Sequence, residues 1–306
     1  MTGDGLALCD EVAAALKAGG PVVALESTLI AHGLPWPLNL ETARATESAV
    51  REAGAVPATV GVWEGTPTLG LSPAQIEAFA RGGEVRKASR RDLAFAALRR
   101  RHAATTVAAT MALAHRAGIA VFATGGIGGV HPDVAESLDV SADLTELART
   151  PVLVVCAGAK SILDLPRTLE LLETLAVPVA GYRTDTFPAF YLPSSGLTVP
   201  ARVDTPAEAA ELFALHRKLG GAGMLLAQPV AEELAVPAGE LGDALSRAES
   251  EADAAGVTGP ARTPFLLARL AEITGGKTLR ANRALVVANA KLAAEVAVNL
   301  SRSAGG

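Results

Sequence analysis

Two apolar runs in this 306-residue chain lead into a residue able to do chemistry. Val22 to Leu25 is closed by Glu26, and Val152 to Cys156 runs through Ala157, Gly158 and Ala159 to Lys160. A carboxyl group leaving a buried strand is partly desolvated, which raises its pKa and suits it to proton transfer. A helix-capping or salt-bridged glutamate would show the same spacing, and the residues leave both readings open. Gly158 permits a tight turn, after which Lys160 is expected at the mouth of a sheet and the start of a helix. A poorly solvated lysine there can attack a carbonyl-type carbon. A surface or phosphate-holding lysine is the competing reading.

Three further places could hold a ligand. The glycine-rich stretch Thr124 to His131 could cradle an anion with its backbone amides, or form a plain turn. Asp139 and Asp143 stand four apart, with Ser141 at an expected helix start. Carboxylates suit a hard cation such as Mg²⁺ or Mn²⁺, and a hydroxyl with free amides suits phosphate. Ordinary capping explains the same residues. Lys87 could hold a phosphate as a point charge or stand solvated. Other patterns fail. Gly276, Lys277 and Thr278 end like a phosphate-binding loop, but position 271 is Ala where that loop needs Gly. The five histidines lack zinc spacing.

These residues need a scaffold. Short apolar runs at Pro21–Leu25, Ala58–Trp63, Ile119–Thr124, Val152–Cys156, Val177–Ala180 and Gly223–Ala227 read as strands buried on both faces. Between them, Glu41–Ala53, Arg91–Arg101, Thr106–Ala117, Ile162–Leu175 and Ala207–Leu219 have helical spacing. Ser72 to Gln75 and Thr205 to Glu208 each read as a hydroxyl cap, a proline at the first helical position and an amide or acid closing the box. Thr263-Pro264 repeats the first half of that signal. Ala238–Leu300 reads as all helical, and Ser301–Gly306 as a fraying end. The alternation predicts a three-layer α/β/α fold with a mostly parallel central sheet, a helical C-terminal segment and one domain over residues 1–306. In such sheets ligands bind beyond the carboxyl ends of the strands, where Glu26 and Lys160 fall.

Composition narrows the function. Half of the residues are hydrophobic and 4% aromatic, so Ala, Val and Leu must fill a large core. The net charge of −5 and the lack of a basic stripe argue against a nucleic-acid partner. Arg99 to Arg101 read as a solvated helix face. Two isolated cysteines fit a reducing cytoplasm. Met1 to Gly20 lacks a leader pattern, and no stretch of roughly 18 uncharged apolar residues suggests a membrane span. The residues taken alone predict an α/β enzyme that handles a phosphate.

The same residues fall in ordered blocks. Val22 to Gly33 with Leu34-Pro35, Pro57 to Gly65, Lys87 to Asp92, Ala104 to Met111 and Phe122 to His131 come first. Asp139 to Leu144, Val155 to Asp164, Gly181-Tyr182 with Thr184-Asp185, Phe187 to Tyr191 and Ser194 to Gly196 follow. In this order and spacing the chain resembles the pseudouridine-5′-phosphate glycosidase family from about residue 20 to 300. The resemblance implies that Lys160 is a nucleophile forming a Schiff base with ring-opened ribose and that Glu26 is the proton donor. It implies that Asp139 holds one Mn²⁺ per subunit. Lys87, Val107 through its backbone, and Ser141, Ala142 and Asp143 fall at substrate-binding positions, with His131, Asn282 and Thr124 as further contacts. It implies a homotrimer acting on pseudouridine 5′-phosphate, uracil and ribose 5-phosphate. Pro132, Val287 and Ala288 depart from common family choices but leave Lys160, Glu26 and Asp139 in place. A Schiff-base lyase or aldolase on another sugar phosphate, and a non-catalytic sugar-phosphate sensor, remain as alternatives.

Overall fold

The six apolar runs form six strands that lie side by side. In the computed structural model, which describes residues 5–304, they are β2 (Val22–Glu26), β3 (Val56–Trp63), β7 (Leu153's neighbour, Val121–Ala123), β8 (Leu153–Cys156), β9 (Val179–Tyr182) and β11 (Met224–Ala227). Their order in the sheet is β3-β2-β7-β8-β11-β9, and every neighbouring pair among them is parallel. Shorter strands extend the sheet: β1 (Ala7–Leu8), β4 (Thr66–Leu69), β5 (Arg86–Ala88), β6 (Ala103–Thr105) and β10 (Ala201–Val203). The far half of β3 pairs antiparallel with β4 and β6, which breaks the parallel pattern at that end. None of these five was visible as an apolar run: Ala7–Leu8 is two residues long, and Thr66–Leu69, Arg86–Ala88, Ala103–Thr105 and Ala201–Val203 each include a polar or charged residue.

Successive residues of the central strands are buried in two different clusters, as a sheet covered on both faces requires. Val22, Ala24, Phe122, Val154 and Cys156 belong to one buried cluster, with Met111, Leu144, Leu147 and Leu172 from helices on that side. Val23, Leu25, Val121, Leu153 and Val155 belong to another, with Phe213, Ala290, Ala293 and Val296. The expected three layers are therefore present. Helices Leu38–Glu52, Val107–Arg116, Leu165–Thr174 and Pro206–Lys218 match the periodic segments within a few residues. Both capping boxes form, at Ser72 with Gln75 and at Thr205 with Glu208.

Some expectations fail locally. The helix read over Arg91–Arg101 is only Leu93–Leu98, after a 3-10 turn at Arg90–Asp92. Arg99 to Arg101 are exposed but lie in the turn beyond it, with Arg100 at φ 48°, not on a helix face. Thr263 is not a cap. A 3-10 turn at Gly259–Ala261 feeds straight into helix Arg262–Ile273, so Thr263 and Pro264 lie in its first turn, where a missing N–H is harmless. The tail forms helices Ala238–Ala254, Arg262–Ile273 and Lys277–Ala304. The last runs through Ser301, Arg302 and Ser303, where fraying was expected; Gly305 and Gly306 lie outside the described residues, as do the first four of the segment read for a leader. By length and composition that final helix could cross a membrane, yet half of its apolar window is buried within the protein.

Candidate active site

Glu26 leaves β2 on the same side as Thr124, just past β7. The Thr124 hydroxyl donates to Glu26 Oε1 at 2.7 Å. The carboxyl sits against a small apolar cavity lined by Leu25, Leu29, Ile30, Ala43, Ala123 and Val286. Burial is the chief cause that holds its pKa above the ordinary carboxylate value; Lys160 and the Thr124 hydroxyl pull the other way, and Asp143 adds to the rise. Glu26 is thus neither a cap nor one half of a close ion pair.

Lys160 arrives beside it from β8. The chain turns at Gly158, whose φ is +80°, and a Cβ there would stand 2.0 Å from the Pro188 carbonyl oxygen. No other residue type fits that turn. The Lys160 amide donates to the Ile127 carbonyl at 3.2 Å, which fixes the lysine to the glycine loop. Lys160 does not begin a helix as expected. The following helix starts at Leu165, capped by Asp164, so the lysine lies in the connecting turn. Below it, burial pushes the Cys156 thiol up to about 12, which removes it as a nucleophile.

Lys87 enters from the side on β5, opposite Ala104 of β6. The residue as a whole is exposed, but enough protein surrounds its amine for burial to be the main cause that lowers its pKa. Lys160 lowers it further, while Asp143, Glu26 and Asp139 oppose the shift. These mutual influences place Glu26, Lys160, Lys87, Asp143 and Asp139 in one electrostatic neighbourhood. His32, within the π-turn Leu29–Gly33, joins it: burial and then Lys87 hold its pKa below the ordinary value. Spacing alone assigned His32 no role, because its reach toward Lys87 depends on that turn.

Asp139 and Asp143, four apart in the sequence, have different partners. Asp143 is buried, and its two oxygens accept from the Ala108 and Gly128 amides, both at 2.9 Å. Ser141 caps helix Ala142–Leu147, accepting from the Asp143 amide at 3.2 Å; Ala142 is exposed. Gly128 is required here, since a Cβ would lie 2.3 Å from Ser141 Oγ. Asp143 therefore ties the glycine loop to the start of helix Val107–Arg116, with Val107 as its first residue. Asp139 is left with His131. The two segments are zipped by Ser141 N to Gly129 O (3.0 Å) and His131 N to Asp139 O (3.1 Å). Asp139 Oδ2 then lies 3.9 Å from His131 Nε2.

Among the described residues no three His, Cys, Asp or Glu side chains converge as a metal cage. The Asp139 carboxylate is the kind of ligand that could serve a hard cation keeping most of its water. The long C-terminal helix closes the site. Asn289 donates through Nδ2 to the Thr124 carbonyl at 2.8 Å. Asn282 lies against Gly125, and its buried Oδ1 has no protein partner. A buried acceptor without a donor is costly unless a ligand or water supplies one.

A parallel sheet with an acid and a lysine at its carboxyl ends, amide-rich loops beside them and a second lysine at the rim defines an α/β enzyme site for a small anionic substrate. The chain belongs to the family of indigoidine synthase A like proteins, whose model matches residues 11–299. It is 57% identical over 298 residues to a pseudouridine-5′-phosphate glycosidase of Methylobacterium nodulans, covering 96% of this chain and 88% of that one. A protein of the same name from Chloroflexus aurantiacus is 56% identical, covering 97% of this chain and 99% of that one. The fold superposes on a prealnumycin C-glycosynthase crystallised with ribulose 5-phosphate, with TM-score 0.91, 41% identity and 99% of each chain covered. An indigoidine synthase A-like protein from Thermotoga maritima gives TM-score 0.88 at 38% identity, covering 97% of each chain.

Proposed function

We propose that this chain, as one domain over residues 1–306, reversibly cleaves the C-glycosidic bond of pseudouridine 5′-phosphate with water, giving uracil and ribose 5-phosphate. The observation that carries the reading is the pairing of Lys160 with a buried, weakly partnered Glu26 at the mouth of the sheet, in a chain so similar to relatives of that name.

The chemistry accounts for both residues. A carbon–carbon bond joins base to sugar, so protonating a glycosidic oxygen gives no leaving group as it does in ordinary glycosides. Lys160 Nζ bonds to C1′ while the C1′–O4′ bond breaks, and Glu26 supplies a proton to the ring oxygen. The nitrogen lone pair then expels uracil through its C5, which takes up a proton, and leaves a Schiff base at C1′. Water releases ribose 5-phosphate and restores the lysine. Covalent catalysis divides one hard step into easier ones. The raised pKa of Glu26 keeps a proton available for donation.

Lys87 anchors the phosphate as a point charge, and Val107, Ser141, Ala142 and Asp143 shape its pocket through backbone and cap. Thr124 orients Glu26, and Asn282 and His131 face the substrate. Asp139 would hold one Mn²⁺, which would neutralise negative charge. A homotrimer in the cytoplasm is part of the same reading. Phe95, Leu98 and Leu138 stand 68%, 75% and 81% exposed near the Lys87 and Asp139 segments, apolar surface that an assembly would cover.

The test is ultraviolet detection of uracil from pseudouridine 5′-phosphate, with Mn²⁺ titrated and Asp139→Ala compared. Uracil release that rises with Mn²⁺ in the parent and not in the variant is expected. Retro-aldol cleavage of a sugar phosphate without uracil release would favour the lyase alternative, and binding without turnover the sensor.

A further inference from the structure

Glu146 is a fully buried carboxylate outside the reacting cluster, and its partners come from two directions. Its Oε2 accepts from Nε and Nη2 of Arg149, three residues along, at 3.1 and 2.8 Å. Its Oε1 accepts from the Thr150 hydroxyl and from Nη1 of Arg90, both at 2.5 Å. Arg149 and Thr150 are local. Arg90 lies 56 residues away in sequence, three residues after Lys87.

The strand that carries Lys87 is three residues long, paired to the equally short β6, and followed by a single 3-10 turn. Helix Ala142–Leu147 carries Glu146 one turn after Asp143, and Asp143 is already fixed to the glycine loop and to helix Val107–Arg116. The Arg90–Glu146 pair therefore joins the peripheral segment bearing Lys87 to the rigid unit that bears Ser141 and Asp143. Because the carboxylate is buried and already satisfied by Arg149 and Thr150, it is a stiff anchor for Arg90.

The geometry points to Arg90 as a positioning residue that, through Glu146, sets the distance between Lys87 and the Ser141–Asp143 cap, and so the affinity for the substrate's phosphate. This rests on the reading of Lys87 as the phosphate anchor. Arg90 itself touches no reacting atom in this account. Losing it lets the Lys87 segment shift and removes binding shared by ground and transition states, which raises KM and leaves kcat nearly unchanged.

Glu146 variants would leave two arginines facing an empty buried site and could fail to fold, so the arginines are the better test. Arg90→Ala and Arg149→Ala each remove one guanidinium from the same carboxylate, but only Arg90 links to the Lys87 segment. The expected result for Arg90→Ala is a KM for pseudouridine 5′-phosphate about tenfold higher, with kcat within about twofold. The inhibition constant of inorganic phosphate should rise in parallel. Arg149→Ala should leave both within about twofold, and Arg90→Lys should recover part of the loss. Circular dichroism and thermal midpoints establish that the variants are folded. Equal effects of the two alanine variants, or an unchanged KM and phosphate inhibition in Arg90→Ala, would overturn the inference. Calorimetric binding of ribose 5-phosphate to both variants makes the same comparison without turnover. A parent chain that binds ribose 5-phosphate but releases no uracil would sink the proposed reaction and leave this inference standing or falling on the binding data.

Discussion

Glu26 and the acids of helix Ala142–Leu147 lie on neighbouring parts of the same site and are treated in opposite ways. Glu26 receives one hydrogen bond, from a neutral hydroxyl, in apolar surroundings. Asp143 receives two backbone amides, and Glu146 two guanidiniums and a hydroxyl. Asp143 and Glu146 are buried, and Glu26 is a half-buried residue whose carboxyl is desolvated, so burial alone does not mark a reactive acid. The number and charge of the partners decide. A carboxylate supplied with strong donors becomes a fastening, whereas one left short of donors is pushed toward its neutral form and can give up a proton.

The contrast can be broken most severely at Lys160, the proposed nucleophile, whose charge acts on Glu26. Lys160→Ala is expected to reduce uracil release to background and to abolish borohydride trapping of a ribose 5-phosphate adduct, with the fold intact by circular dichroism. Peptide mapping that finds the adduct on another lysine would refute the assignment. Glu26→Gln comes next, with kcat lower by about 10²- to 10⁴-fold. Its thermal midpoint near neutral pH should be equal or higher. A folded-state pKa raised by burial gives stability that is complete below the unfolded value and is lost as pH rises through the folded value, and a neutral amide escapes that loss. A lower midpoint for the variant would mean that Glu26 is a structural partner after all.

Asp143→Ala should behave in the opposite sense. It leaves the Ala108 and Gly128 amides unpaired and should cost about 2 to 3 kcal/mol, read as a lower urea midpoint with unchanged slope. An unaltered midpoint would end the distinction between the two regions. The smallest effect is expected at Thr124→Val. The hydroxyl lowers the pKa of Glu26, so its loss should raise that pKa further. In the proposed reaction Glu26 acts protonated, so turnover should fall as pH rises through its pKa; the alkaline limb should therefore move up, with kcat reduced several-fold at most. A limb that moves down would reverse the assigned role of the hydroxyl.

The six apolar runs were legible and became the six central strands, since residues buried on both faces leave an uninterrupted signal. Glu26 and Lys160 stood out because each follows such a run. Their neighbours were harder to find. Arg90 and Glu146 look like ordinary surface residues, and nothing in their spacing shows that they meet across 56 positions. Asp143 was grouped with Asp139 by spacing, but its side chain turns inward to backbone amides that lie 15 and 35 residues away. Thr263-Pro264 misled for a simpler reason: a 3-10 turn had already begun the helix.

By itself the sequence determined the layers, the parallel core and the two strand ends where chemistry could occur. Those follow from local patterning, which needs no knowledge of distant residues. Tertiary structure decided which buried acid is short of donors and which is fastened, that Lys160 stands in a turn and not at a helix start, and that His32 and Lys87 share one field. Partner number, desolvation and charge coupling all depend on groups that the chain brings together only when it folds.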